Sequence, residues 1–193
     1  MGNHYVRRFD LSKYTLKSFD SADEFCADTN NSDVWTYDAN GTTKYLAQAN
    51  PNVNSGLLTG DATVTLTPGQ SGQIFLFDNA SGGEYDLPAP APGLNYIFMV
   101  TVSVTSNDYE ITTNNPGTVL YAGGLWLAVA GTAGSGNLFV PNGSTQSAII
   151  MDGATHGGLI NSIIQVYALN STTWFVDGSV IGTATVATPF GAS

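Results

Sequence analysis

Residues 62–104 read ATVTLTPGQSGQIFLFDNASGGEYDLPAPAPGLNYIFMVTVSV, and the fold class turns on this stretch. From Tyr96 the apolar side chains Tyr96, Phe98, Val100, Val102 and Val104 recur at every second residue, while Ile97, Met99, Thr101 and Ser103 grow more polar along the other face. A period of two predicts a strand with one buried face and one partly buried face. Three shorter runs precede it as candidate partners. Val64 and Leu66 share one side of the first, Gln73 to Phe77 is apolar from Ile74 onward and predicts an interior strand, and Tyr85 and Leu87 point inward from the third. Pro68-Gly69 and Asp78–Gly83 (DNASGG) are turns between them. The prolines of Pro88-Ala89-Pro90-Ala91-Pro92-Gly93 cannot donate ladder hydrogen bonds, so this segment is a rigid extended crossing.

Downstream the pattern continues. Tyr109–Thr113, Thr118–Tyr121, Leu125–Ala130, Asn137–Val140 and Ala148–Met151 read as strands, followed by a long one over Leu159–Leu169, then Trp174–Asp177 and Val180–Ala187. Upstream, Val34–Tyr37 and Thr42–Leu46 flank Asn40-Gly41, a strong hairpin signal. Ser21-Ala22-Asp23-Glu24 has the form of a capping box and predicts a short helix over Ala22–Asp28, with Cys26 on its buried side. Residues 49–60 (ANPNVNSGLLTG) read as a linker. The expected architecture is all-β: an antiparallel sandwich, jelly roll or small barrel of about a dozen strands. Residues 1–50 form an N-terminal arm with the helix and hairpin, and 51–193 the β body. No internal repeat at solenoid or propeller spacing is visible.

At 193 residues the chain suits one β domain with an appendage, or at most two small domains. Its single cysteine excludes an intramolecular disulfide and fits a reducing compartment. MGNHYVRRFD leads into no apolar segment of a secretion signal, and position 6 is Val where a myristoylation site wants Ser or Thr. No run approaches the roughly 18 apolar residues of a membrane span.

Charge is the unusual property. Only 10% of residues are charged, against roughly 25% in ordinary soluble proteins. All five basic residues (Arg7, Arg8, Lys13, Lys17, Lys44) lie in the first 44 positions, whereas eight carboxylates and no Lys or Arg follow Tyr45. Trypsin therefore has no site after Lys44. A body of this kind repels phosphate backbones, which argues against nucleic-acid binding. Residues 1–20 interleave the cations with aromatics: Tyr5, Arg7, Arg8, Phe9, Lys13, Tyr14 and Lys17. They fit a docking arm that orders on a partner, or a terminus folded against its own domain.

Signs of chemistry are sparse. There is no Gly-x-Ser-x-Gly elbow, and His4 and His156 belong to no zinc-type pair. Asp152-Gly153-Ala154-Thr155-His156 offers an Asp–His pair across a loop, but these residues are also turn formers. Asp108, Glu110, Asp152 and Asp177 could supply the two carboxylates of glycoside cleavage only if they converge in space. Residues 28–33 (DTNNSD) alternate oxygen ligands but lack the central Gly and distal Glu of a calcium loop. Gly131–Gly136 is glycine-rich but lies between strands, so no helix N-terminus is there to hold phosphate. Trp35, Trp126 and Trp174 are either sugar-stacking platforms or core and interface residues. No enzyme activity, metal or cofactor is expected.

The order Thr63-Val64-Thr65-Leu66-Thr67, Ser71-Gly72 before an apolar strand, Leu87-Pro88-Ala89-Pro90-Ala91-Pro92-Gly93-Leu94 and Tyr96-Ile97-Phe98 resembles a module of tailed-phage virion proteins, many encoded by marine and cyanobacterial phages. Ser171–Gly178 (STTWFVDG) is similar to the closing strand of that module, with Asn170-Ser171 where Asp-Gly is usual. The resemblance covers about residues 60–180 and implies an oligomeric, all-β structural protein without catalytic residues. A capsid decoration (cement) protein is one expectation: a homotrimer on the capsid exterior, assembled in the host cytoplasm and docked on the major capsid protein through the arm. A tail-fibre or adhesin head that binds host glycan is the alternative.

Overall fold

The structure is a computed structural model that describes residues 62–132, 135–183 and 185–192, and before them the backbone of four strands. The chain divides into two compact units, Met1–Pro51 and Asn52–Ser193.

In the first unit, strands β1 (Phe25–Asp28), β2 (Asp33–Tyr37) and β3 (Thr43–Gln48) form an antiparallel sheet in that order. The hairpin expected around Asn40-Gly41 is the β2–β3 pair, with a bulge between Val34 and Trp35. The helix expected over Ala22–Asp28 is corrected to strand at Phe25–Asp28, paired residue for residue with β2 from Phe25↔Thr36 to Asp28↔Asp33. A capping box only starts a helix. One as short as seven residues is unstable unless packing supports it, and here a complete strand partner competes. The buried position expected for the Cys26 side chain lies outside the described residues.

The second unit holds β4 (Val53–Asn54), inside the segment read as a linker, and twelve fully described strands. These are β5 (Thr63–Thr65), β6 (Ile74–Phe77), β7 (Gly83–Asp86), β8 (Asn95–Val100), β9 (Tyr109–Thr112), β10 (Leu120–Gly123), β11 (Leu125–Val129), β12 (Gly136–Phe139), β13 (Ala148–Met151), β14 (Ile163–Ala168), β15 (Thr173–Gly182) and β16 (Phe190–Gly191). A large sheet runs β12-β11-β15-β14-β8-β6-β4, with β10 also on β15; a small sheet runs β16-β13-β9-β7-β5. Both sheets have open ends, so neither closes into a barrel. Nor are they antiparallel throughout, as a jelly roll requires. From β4 to β9 the chain alternates between sheets, so each strand pairs in parallel with the one two places on: β4 with β6 and β6 with β8, β5 with β7 and β7 with β9. The result is a winding of a little over twenty residues per turn, carried by a sequence without a visible repeat. From β10 onward the pairing is mixed.

One core joins the inner faces of the two sheets. Phe75, Phe77 and Phe98 of the large sheet meet Tyr85 and Tyr109 of the small one, with ring centroids 4.5 Å apart for Phe77–Tyr109 and 5.1 Å for Phe77–Tyr85. Tyr85 and Leu87 are buried, as their alternation predicts. The run Ile74–Phe77 is not buried on both faces: Phe75 and Phe77 face the core, and Ile74 and Leu76 are half-buried on the outer side. The strand expected to reach Val104 stops at Val100, because the N–H groups of Thr101 and Val102 both donate to the Phe77 carbonyl (3.0 and 3.2 Å) and the ladder cannot advance. Val102 is left exposed and Val104 buried.

Buried tyrosine hydroxyls tie strands to neighbouring backbone. Tyr85 donates to the Leu76 carbonyl at 2.9 Å, Tyr96 to Thr67 at 3.0 Å and Tyr121 to Ile111 at 3.0 Å, while the Tyr109 hydroxyl lies 2.6 Å from the Asn79 carbonyl. A phenol can sit in a core only if its O–H finds a partner.

Candidate functional site

Three surface features of the body could act on another molecule. The first is the loop after β13. Asp152 Oδ1 accepts the backbone N–H groups of Ala154 and His156, both at 2.8 Å; Oδ2 accepts the Thr155 hydroxyl at 3.0 Å and lies 2.8 Å from His156 Nδ1. Partial burial pushes the Asp152 carboxyl up, but the hydrogen bonds from His156, Ala154 and Thr155 outweigh it and hold the group well below the usual carboxylate range. Thr155 Oγ1 is 3.2 Å from the same Nδ1. A nucleophile–imidazole–carboxylate relay engages opposite nitrogens of the ring; here hydroxyl and carboxylate crowd one nitrogen. The chemistry this arrangement performs is turn closure, reinforced by the Gly153 N–H donating to the Gly157 carbonyl at 2.7 Å.

The second feature is the outer face of the small sheet. The register sets Thr63, Glu84 and Glu110 in one row and Thr65, Asp86 and Thr112 in the next. Thr63 and Thr112 donate to the two oxygens of Glu84 at 2.9 and 2.7 Å. Burial, then the Glu84 charge, push Asp86 up, with the Thr112 hydroxyl opposing. Glu84, Glu110 and Asp108 line a shallow depression of about 310 Å³. Burial and the charge of Asp152 push Asp108 up, and His156 draws it back. Of the four carboxylates singled out from sequence, Asp108 and Glu110 thus share the depression and Asp108 senses Asp152, whereas Asp177 lies on the other sheet. Among the described residues no group of three or more His, Cys, Asp or Glu side chains could hold a metal ion.

The third feature is the outer face of the large sheet, which sequence reasoning did not single out as a surface. Its registers align Leu138, Trp126, Ser179, Ile163, Met99 and Leu76 across six strands. The next row is Asp177, Gln165, Ile97 and Ile74; the one after places Phe175 beside Tyr167. Trp126 is 44% exposed and Leu138 61%. Trp174 is buried against Tyr96, ring centroids 5.7 Å apart, and its Nε1 has no hydrogen-bond partner among the described residues. The Trp35 side chain and the docking residues Tyr5, Arg7, Arg8, Phe9, Lys13, Tyr14 and Lys17 lie outside the described residues. The signal for this face was present: Ile97 and Met99 of β8 and Ile163 and Tyr167 of β14 lie on the side away from the core, more apolar than a solvated face needs.

Comparison with protein-family models and with curated proteins gives no match to this chain.

Proposed function

We propose that the protein is a structural component of a phage particle that decorates and reinforces the capsid. In this reading a sandwich-like β body assembles as a trimer, and Tyr5, Arg7, Arg8, Phe9, Lys13, Tyr14 and Lys17 dock on the major capsid protein. The observation that carries it is the partition of charge: every Lys and Arg lies within the first 44 residues, ahead of a body with eight carboxylates and neither Lys nor Arg. A surface whose Glu84, Asp86 and Glu110 sit on one sheet face suits a solvent-facing role. Each exposed ion pair of the arm contributes at most about 1 kcal/mol, so aromatic burial and the avidity of several linked arms supply the rest. Deleting residues 1–20 is expected to abolish particle binding and leave a folded oligomer; particles that bind the truncated protein as well as the full chain would refute the reading.

A second reading, a glycan-binding fibre head, is favoured by the exposure of Trp126. Copy number per particle, by quantitative mass spectrometry, separates the two: decoration requires hundreds of copies, a fibre head only a few.

A further inference from the structure

We infer that the outer face of the large sheet, centred on Trp126 and running to the β12 edge at Leu138, is where a second copy of this chain docks. The inference deepens the oligomeric part of the reading above. Sheets expose polar residues on a solvated face, but here Trp126, Leu138, Met99, Phe175 and Tyr167 are each at least 37% exposed. Six strands at about 4.8 Å spacing and six residues at about 3.3 Å rise give a patch of about 24 by 17 Å. That footprint of about 400 Å² matches the largest apolar patches of monomers, which are often functional, and is about half of the ~800 Å² per partner that a stable interface buries, with the β12 edge adding to it.

The β12 edge belongs to the same surface. β12 ends the large sheet, its residues GNLF are uncharged, and the Val140 that follows is 64% exposed. Solvated edge strands are ordinarily guarded by charge; this one is not.

Charge selects the occupant. Among the outward-facing residues of β6, β8, β14, β15 and β11, Asp177 is the sole carboxylate and there is no base. Two acidic bodies repel through any surface like that of Glu84, Asp86 and Glu110, and this face lets copies approach with one carboxylate each. A basic partner would favour the small sheet instead. A sugar needs several hydrogen-bonding groups around its stacking ring, whereas in the row of Trp126 only Ser179 offers one, between Leu138 on one side and Ile163 on the other.

The test is the mass of the full-length protein in solution by light scattering. The wild type is expected at a multiple of 20.2 kDa, and the double variant Trp126→Ser, Leu138→Glu at the monomer mass with an unchanged β-type circular dichroism spectrum. Thr65→Glu on the small sheet, a new charge of the same sign, is expected to leave the assembly intact. Acrylamide quenching of the wild type provides a readout without substitution: one tryptophan should become accessible on dilution as the assembly dissociates. A monomeric wild type at about 100 µM, an unaltered assembly in the double variant, or a tryptophan response to glycans from a monomer would each overturn the inference. Its failure is distinguishable from that of the arm hypothesis, which is read as particle binding.

Discussion

Both carboxylate oxygens of Asp152 are committed to their own loop, so the spacing of an aspartate and a histidine four residues apart is accounted for by the turn they close. The loop packs on the core: a Cβ on Gly153 would meet the Val104 carbonyl at 2.1 Å, and one on Gly157 the Val180 side chain at 2.1 Å. Asp152→Ala is expected to destabilise the body by about 1–3 kcal/mol, the cost of leaving N–H donors without their acceptor, measurable by urea unfolding at pH 7. Because the folded-state pKa is depressed, this contribution is complete above the unfolded value near 4 and fades as pH falls through the folded one. The acid limb of the wild-type stability curve should therefore be steeper than that of Asp152→Ala. The turn was legible in DGATH itself. That Asp108 lies close enough to feel the charge was not, since β9 and the β13 loop are brought together only by the sheet. Nor could alternation separate Trp126 from Trp174. Both sit among apolar neighbours, and which faces the core depends on whether Leu125 and Leu127 take the inside, as they do.

At the scale of elements, β10 and β11 behave as one strand bent at Gly123-Gly124: Gly123↔Val176 and Trp126↔Ser179 keep the same register along β15. Gly123 has φ +93°, and a Cβ there would lie 2.2 Å from the Val176 carbonyl oxygen, which also accepts the Gly124 N–H at 3.0 Å. Gly123→Ala is expected to cost about 2–4 kcal/mol from left-handed strain and overpacking. Gly117→Ala, with φ +80° and nothing within 4 Å, should cost only about 1–2 kcal/mol. Thermal melts of the two variants check the difference. The four strands of residues 62–104 were legible because turns and period two agree there. Their parallel pairing was not: alternation tells which side chains face a core, not which sheet receives the next strand. The Ala22–Asp28 helix failed for a related reason, since a local start signal carries no information about a strand partner at Asp33–Tyr37.

For the whole molecule, the buried phenols set a limit on alkaline stability. Burial pushes Tyr96 and Tyr109 up to about 12, opposed at Tyr109 by the Asn79 hydrogen bond and helped by the charge of Asp78, and pushes Tyr85 and Tyr121 further still. These groups ionise near 10 once unfolded, so the folded state binds the extra protons. Their stabilisation is complete below pH 10 and is lost as pH rises through 12, by up to about 1.4 kcal/mol per pH unit for each tyrosine. Urea titrations at pH 9, 10 and 11, with absorbance at 295 nm, should show stability falling steeply and the phenolate signal of these four among the nine tyrosines appearing only with unfolding; equal stability at all three would contradict the burial. The charge partition that supports the proposed function was wholly legible, because it is a property of composition. The apolar outer face was legible only as excess hydrophobicity in β8 and β14, since its continuity exists only across the registers of six strands.

The winding from β4 to β9 also bears on how the chain reaches this state. Its pairings close loops of a little over twenty residues, so that half can form as soon as residue 112 has been made. β8, however, receives its second neighbour only when β14 arrives, and β10 waits for Thr173–Val176. Loop closure over such separations slows folding, and meanwhile the open β8 edge presents Ile97 and Met99 to other nascent chains. The speed at which residues 120–182 are delivered and docked thus decides between a native body and an aggregate, a kinetic demand that grows with the number of copies made at once.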